Sequence, residues 1–163
     1  MAKSLSPSRL NFQKNLRTAL AAGLAYSLAQ LLWLPGAYWA AISAIVVMQS
    51  EVGATVTASR DRLAGTAIGA IVGWLTVFVW HNSVVVFALA VFVVMLLCSS
   101  LWFENAGRLG GVTVAIIVLI PHSDPPWKIA IERFLEVSFG IGVSLVVVVV
   151  WNKIAGVGRP RST

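Results

Sequence analysis

Six apolar stretches separated by short polar segments most constrain what this chain can fold into. None of the six contains Lys, Arg or Asp, and only the last contains Glu. A helix that crosses a hydrocarbon core of about 30 Å needs about 20 residues, within a range of about 17–25. Four stretches reach that range, and two, at 13 residues each, do not. The stretches are 18–34, 38–50, 63–80, 84–101, 109–121 and 134–151.

The composition indicates that lipid is the solvent for these stretches. The chain has 163 residues, of which 58% are hydrophobic and 11% charged, against about 25% charged in an average soluble domain. A water-soluble fold of this size would have too few polar side chains to cover its surface. The sequence therefore predicts an all-α integral membrane protein.

The Lys and Arg residues predict the topology. If all six stretches cross and the N-terminus is cytoplasmic, ten of the twelve basic residues lie in cytoplasmic segments and two, Lys128 and Arg133, lie outside. If the two short stretches do not cross, seven lie inside and five outside. The positive-inside rule favours six crossings with both termini in the cytoplasm. The short helices then take additional length from residues 35–37, 51–56 and 107–108.

A domain organisation follows from this topology. We expect a cytoplasmic N-terminal segment at residues 1–17, a six-helix transmembrane domain at 18–152 and a cytoplasmic tail at 153–163. The first stretch is expected to remain as an uncleaved span, because bulky residues follow it where a signal peptide has small ones.

Several classes of function are disfavoured. The net charge of +6 follows from the topological bias, and no basic cluster lies on a soluble face, so nucleic-acid binding is not expected. The single cysteine, Cys98, excludes an internal disulfide. The sequence has no helical His-x-x-x-His pair, no nucleophile elbow and no phosphate-binding glycine loop. We therefore expect no enzyme activity, no metal and no cofactor.

An internal repeat is visible when the sequence is shifted by 71 residues against itself. Arg62 then falls on Arg133, Gly69 on Gly140, and Trp80 on Trp151. Because a unit of three crossings is odd, its second copy inserts upside down. The expected fold is six transmembrane helices arranged as two inverted three-helix repeats, with the short helix second in each. Substrate sites of transporters with this arrangement lie near the midplane; duplication for stability alone is the alternative.

Small residues predict where helices pack closely. Gly65, Gly69 and Gly73 recur every fourth residue and form one stripe, and Gly140 with Ser144 forms a weaker one. Aromatic residues at the ends of stretches are typical of interfacial anchors. These candidate anchors are Tyr38, Trp39, Trp80 and Trp151.

Polar residues within or beside the stretches are the candidates for a substrate pathway. Inserting an ionised side chain near the bilayer centre costs about 2.5–3.5 kcal/mol, so such a side chain is expected to form an ion pair or to have a functional role. Arg133 and Glu136 are three residues apart on one helix face, and either form a structural ion pair or serve transport. Gln49 lines a pathway or joins two helices. Arg60 and Arg62 are expected at the cytoplasmic mouth, where they would concentrate carboxylates.

Two segments resemble the fusaric acid resistance and aromatic acid exporter family of bacterial inner-membrane proteins. The first is Tyr-Trp at the head of a short helix, Gln near its end, then Gly and Arg-x-x-Gly-Thr-x-x-Gly. The second is Arg-x-x-Glu-x-x-x-Gly. The residues that match are Tyr38, Trp39, Gln49, Gly53, Arg62, Gly65, Thr66, Gly69, Arg133, Glu136 and Gly140.

The resemblance covers most of residues 15–152 and implies a six-helix bundle, usually a dimer, that exports aromatic or other hydrophobic carboxylates. This sequence departs from the family in two respects. Ser50 stands where the family often has proline. The chain also lacks the cytoplasmic domain and second membrane domain of many relatives, so we expect one minimal unit.

Three functions follow as hypotheses. The first is a homodimeric inner-membrane transporter that exports organic anions, with Glu136 exchanging a proton for substrate. The second is a passive anion channel, because rings of Arg suit anion pores. The third is a non-transporting membrane subunit that scaffolds or regulates a partner. The sequence leaves open the substrate, the coupling ion and the need for a periplasmic adaptor.

Overall fold

A computed structural model of the protein describes residues 7–79, 83–103, 105–120 and 124–155, and these ranges contain helices and no strand. The helices that it describes are α1 (Pro7–Leu31), α2 (Ala37–Val47), α3 (Val52–Val79), α4 (Val84–Ser100), α5 (Ala106–Leu119) and α6 (Pro126–Ala155). The all-helical prediction is confirmed for this part of the chain.

Several helices do not coincide with the apolar stretches. α3 begins at Val52, so Arg60 and Arg62 lie within the helix rather than before it. Residues 52–56 therefore belong to α3, and the expectation that they lengthen the second helix is wrong. α6 likewise begins early, at Pro126, where a proline suits the first helical position because its missing N–H has no helical partner.

Length and apolar character together distinguish two helices of the bundle. Val52–Phe78 and Pro126–Ile154 are long and apolar enough to cross a membrane, whereas α2, α4 and α5 are shorter apolar helices. The 11 residues of α2 extend about 17 Å, roughly half of a hydrocarbon core. Six crossings therefore remain a prediction.

The close contacts between helices define their directions. Along α3, Gly65 and Gly69 approach Ala106 and Gly110 in the same order, so α3 and α5 run parallel. α2 and α6 also run parallel, because Ala40 meets Gly140 and Ala44 meets Ser144. α1 packs on α2 and α6, α4 packs on α5 and α3, and α3 packs on α6.

One end of the bundle therefore gathers the beginnings of α1, α3 and α5 and the ends of α2, α4 and α6. We call this end the N-terminal face, and the other end the opposite face.

Small residues fill the bundle interior and large apolar side chains cover its outside. Ala25, Ala29, Ala40 and Ala44 are fully buried in one cluster with Ala37. Many leucine, isoleucine, valine and aromatic side chains are exposed on every helix. Lipid tails are as apolar as leucine, so large apolar side chains gain nothing from burial between the helices. A membrane bundle therefore has small residues at its helix contacts and large apolar residues on its outside.

α1 and α4 end in the same type of turn. The N–H of Leu34 donates to Ala29 O at 3.0 Å, and the N–H of Phe103 donates to Cys98 O at 2.9 Å. Within these turns, Trp33 and Trp102 have φ of 55° and 63°. This is a Schellman motif with tryptophan at the left-handed position that glycine usually occupies. Both indoles are exposed, at 91% and 93%.

Candidate functional site

A buried ion pair joins α6 to the start of α2 near the opposite face. Glu136 is fully buried and Arg133 is 7% exposed. Arg133 Nη1 lies 2.9 Å from Glu136 Oε2, and Arg133 Nη2 donates a hydrogen bond to Glu136 Oε1 at 3.4 Å. The backbone N–H of Gly36 donates to Glu136 Oε1. The carboxylate therefore holds the residue before α2 against α6.

An aromatic residue of α2 covers this ion pair. The Arg133 guanidinium lies 5.0 Å from the centre of the Trp39 ring, a cation–π distance. Tyr38 packs beside Trp39, with ring centres 5.4 Å apart, and its side chain is exposed. Trp39 is half-buried, so it contacts the ion pair as well as the bundle surface.

The two arginines expected at one mouth have different surroundings. Arg60 is exposed and its guanidinium lies 5.9 Å from the centre of the Phe103 ring. Arg62 is 3% exposed and lies on α3 one turn before Gly65. Its Nε has no hydrogen-bond partner, and among the residues that the structure describes no carboxylate lies within ion-pair distance of it. Arg62 is therefore a buried cation with no counter-charge in the part of the chain that the structure describes.

Gln49 lies just beyond the end of α2, with an exposed side chain. Its backbone carbonyl accepts a hydrogen bond from Nη2 of Arg17, and the carbonyl of Ser50 accepts one from Nη1 at 3.2 Å. Arg17 thus ties the beginning of α1 to the C-terminal end of α2, where a positive charge is favourable. The sequence interpretation used Arg17 only as a topological charge, because its partners are 32 and 33 residues away.

A groove on the N-terminal face lies between the end of α2, the first turns of α3 and the start of α5. Its volume is about 420 Å³. We call it the Asp61 groove. It is lined by Val46, Gln49, Ala54, Thr57, Ala58, Asp61, Asn105 and Leu109.

A second cavity, of about 500 Å³, adjoins the Asp61 groove at Thr57, Asp61 and Asn105 and continues towards the end of α4. These volumes lie within the range of about 300–1,000 Å³ that small-molecule sites occupy.

The predicted pathway residues do not lie together. Gln49 lines the Asp61 groove, whereas Arg60 and Arg62 line neither cavity, and Arg133 and Glu136 lie near the opposite face. The charged side chain in the wall of both cavities is that of Asp61. Asp61 was not among the candidate pathway residues of the sequence analysis.

The predicted packing residues lie at the two closest helix contacts. A Cβ at Gly69 would overlap the backbone of Gly110, and a Cβ at Gly140 would overlap the carbonyl of Ala40. Gly65 and Gly73 continue the α3 contact along α5. Ser144 continues the α6 contact, since its hydroxyl donates to Ala44 O at 3.2 Å.

The remaining predicted anchors are the tryptophans near the ends of α3 and α6. Trp151 is half-buried near the end of α6 and lines a small cavity on the N-terminal face. Trp80 lies outside the described residues. The ranges that the structure describes contain no group of three His, Cys, Asp or Glu side chains that could hold a metal ion.

An all-helical bundle with an apolar exterior, buried charges and a polar groove at one face is typical of a membrane protein that handles solutes. The family described as "Fusaric acid resistance protein-like" matches residues 24–147 of this chain. The chain belongs to that family.

Curated relatives carry a transporter name. "Uncharacterized transporter YdhK" of Escherichia coli (strain K12) is 36% identical over 138 residues, covering 77% of this chain and 20% of the relative. The protein of the same name from Salmonella typhimurium is 33% identical over 136 residues with the same coverage. The chain therefore spans about a fifth of the length of the curated relatives it matches. No solved structure matches it.

Proposed function

We propose that the protein is an inner-membrane transporter that exports organic anions, with aromatic or other hydrophobic carboxylates as the substrate class. The Asp61 groove carries this proposal, because the end of one short helix and the start of the other form its walls. In transporters built from repeats, paired short segments at corresponding positions mark the substrate site. The groove is large enough for a small aromatic acid.

The anionic charge of the substrate is inferred from Arg62. Among the residues that the structure describes, no carboxylate lies within ion-pair distance of the buried Arg62 guanidinium. Arg62 does not line the groove but directly follows Asp61 on α3, so a substrate carboxylate that moves from the groove past Asp61 would reach this guanidinium and offset the cost of its burial in a bidentate contact. Arg60, which is exposed two residues before Arg62 on the same helix, would raise the local concentration of anions at the entrance.

An inverted repeat is part of the proposal. Exchanging α1 with α4, α2 with α5 and α3 with α6 reproduces the same set of packed helix pairs. The Schellman turns at Trp33 and Trp102 are related by the same exchange. With six crossings, both termini would lie in the cytoplasm and the N-terminal face would be the cytoplasmic one. Two copies would assemble as a homodimer, and the proposal is compatible with a periplasmic adaptor.

Proton coupling through Glu136 is a separate element of the proposal. To exchange a proton, the carboxylate would have to release both the Arg133 guanidinium and the Gly36 N–H. A Glu136→Gln variant whose transport keeps the same pH dependence would remove Glu136 from the coupling step.

Flux in proteoliposomes that contain this protein alone tests the function. We expect uptake of a radiolabelled aromatic carboxylate such as benzoate, strongly reduced in Arg62→Gln and only slightly reduced in the matched Arg60→Gln. Conductance in planar bilayers without coupling would instead indicate a passive channel. If the folded protein shows neither flux nor conductance, the proposal of a transporter is wrong, and the hypothesis of a non-transporting subunit is favoured.

A further inference from the structure

A further polar cavity lies on the N-terminal face, away from the Asp61 groove. It has a volume of about 270 Å³ and is formed where the beginning of α1, the α2–α3 corner and the end of α6 meet. Its wall includes Lys14, Arg17, Ser50, Glu51, Trp151 and Asn152. None of these residues lines the Asp61 groove or the cavity beside it.

Two polar atoms in this wall lack partners although they are buried. Arg17 is 5% exposed, and its Nε has no hydrogen-bond partner although both of its Nη atoms donate to backbone carbonyls. Asn152 Oδ1 is likewise buried without a donor. A buried donor or acceptor that stays unpaired is unfavourable. Both atoms have almost no accessible surface, so they would meet a ligand in the cavity only after the Arg17 and Asn152 side chains turn towards it, and a ligand that supplies both an anion and a hydroxyl would favour that rotation.

The surrounding charge favours an anion. Lys14 is exposed at the rim beside Arg17, and α3 begins at the cavity wall directly after Glu51, with the positive end of its dipole there. The Glu51 carboxylate opposes an anion, which leaves the wall with two cationic side chains against one acidic one. Glu51 and Asn152 Oδ1 are both acceptors for hydroxyl donors.

The position of the cavity favours a lipid over a free ion. Exposed apolar side chains of α1 and α6, among them Leu20 and Val149, lie about one turn deeper along the helices. A headgroup in the cavity would place its acyl chains on this surface. Basic pockets between helices at a membrane surface bind anionic headgroups in this way.

We propose that this cavity binds the headgroup of phosphatidylglycerol, with the phosphate at Lys14 and Arg17 Nε and the glycerol hydroxyls at Asn152 Oδ1 and Glu51. Because Arg17 also holds the carbonyls of Gln49 and Ser50, the bound lipid and the end of α2 share one guanidinium. The proposal is independent of whether the protein transports a substrate.

Lys14→Gln is the informative variant. Lys14 is exposed, and its side chain makes no ion pair among the described residues, so its loss should not disturb folding. Lys153→Gln is the matched control, because Lys153 is also exposed on the N-terminal face but lies outside the cavity wall. Both changes remove one positive charge.

Native mass spectrometry of the full chain in detergent measures retention of phosphatidylglycerol, phosphatidylethanolamine and phosphatidylcholine. We expect preferential retention of phosphatidylglycerol, about fivefold weaker in Lys14→Gln and unchanged in Lys153→Gln. Equal retention of the three lipids, or equal loss in both variants, would overturn the proposal. Displacement of phosphatidylglycerol by millimolar inorganic phosphate would assign the site to a free anion and overturn it too.

Discussion

Trp33 and Trp102 occupy the same position in the same helix-ending turn, each at C′ of a Schellman motif and each almost fully exposed. Leu precedes both residues, and Leu34 and Phe103 follow them. A bulky side chain at positive φ is uncommon, so its occurrence at the ends of both α1 and α4 supports the proposed repeat.

The first prediction concerns the side of the membrane on which these tryptophans lie. In a Cys98→Ser background, Trp33→Cys is expected to react with an impermeant thiol reagent from outside the cell, and Trp102→Cys only after the inner face is opened. Their exposure makes them better reporters than the buried Arg62 and Arg133. Labelling of both positions from the same side would rule out the inverted repeat.

The second prediction concerns close packing of α6 on α2. Gly140→Ala is expected to destabilise the protein by about 1–3 kcal/mol, because the new methyl group overlaps the Ala40 carbonyl. Gly142 lies on the same helix, and a methyl group there would meet no neighbouring helix within 4 Å. Gly142→Ala is therefore the control, expected to gain up to about 1 kcal/mol from helix propensity. Thermal unfolding in detergent micelles measures the stability of both variants. Equal changes in unfolding temperature for Gly140→Ala and Gly142→Ala would contradict the close packing of α6 on α2.

The third prediction concerns the buried ion pair. Glu136→Gln is expected to destabilise the bundle by about 3–5 kcal/mol, because it leaves the Arg133 guanidinium buried without its counter-charge. The double variant Arg133→Gln/Glu136→Gln should recover part of that loss. Circular dichroism during thermal unfolding measures the double variant and both single variants. A double variant less stable than the sum of the two single changes would contradict a paired role.

Sequence patterns predicted the helices where hydropathy and helix formation coincide. The stretch 84–101 corresponds to α4 within one residue. The hydropathy pattern placed the start of α3 too late. Residues 52–62 are polar enough to interrupt an apolar stretch, but they belong to the continuous helix α3. Hydropathy reports what lipid tolerates, whereas helix limits depend on backbone hydrogen bonds that Ser, Thr and Arg also sustain.

The candidate sites were less predictable than the helices. Glu136 and Arg133 share a helix, so their spacing alone indicated a pair. The contact of Arg17 with the end of α2 and the Asp61 groove arise from residues far apart in sequence, which no local pattern reports. The paired turns were also missed, because Trp33 and Trp102 are offset by 69 residues and the ungapped shift of 71 does not align them.

The last prediction concerns the charge within the Asp61 groove. The Asp61 side chain places a negative charge in the wall of the groove, which opposes an anionic substrate. Asp61→Asn removes this charge and is expected to bind benzoate about tenfold more tightly. Binding is measured by scintillation proximity, and transport by flux in proteoliposomes.

Glu132 provides the matched control for Asp61, because the shift of 71 residues aligns the two acids. Its carboxylate lies 3.8 Å from Lys128 Nζ rather than in the Asp61 groove. Glu132→Gln should therefore leave the affinity for benzoate unchanged. Weaker benzoate binding by Asp61→Asn would mean that the groove selects a donor-bearing or cationic substrate, and export of organic anions through it would then be wrong.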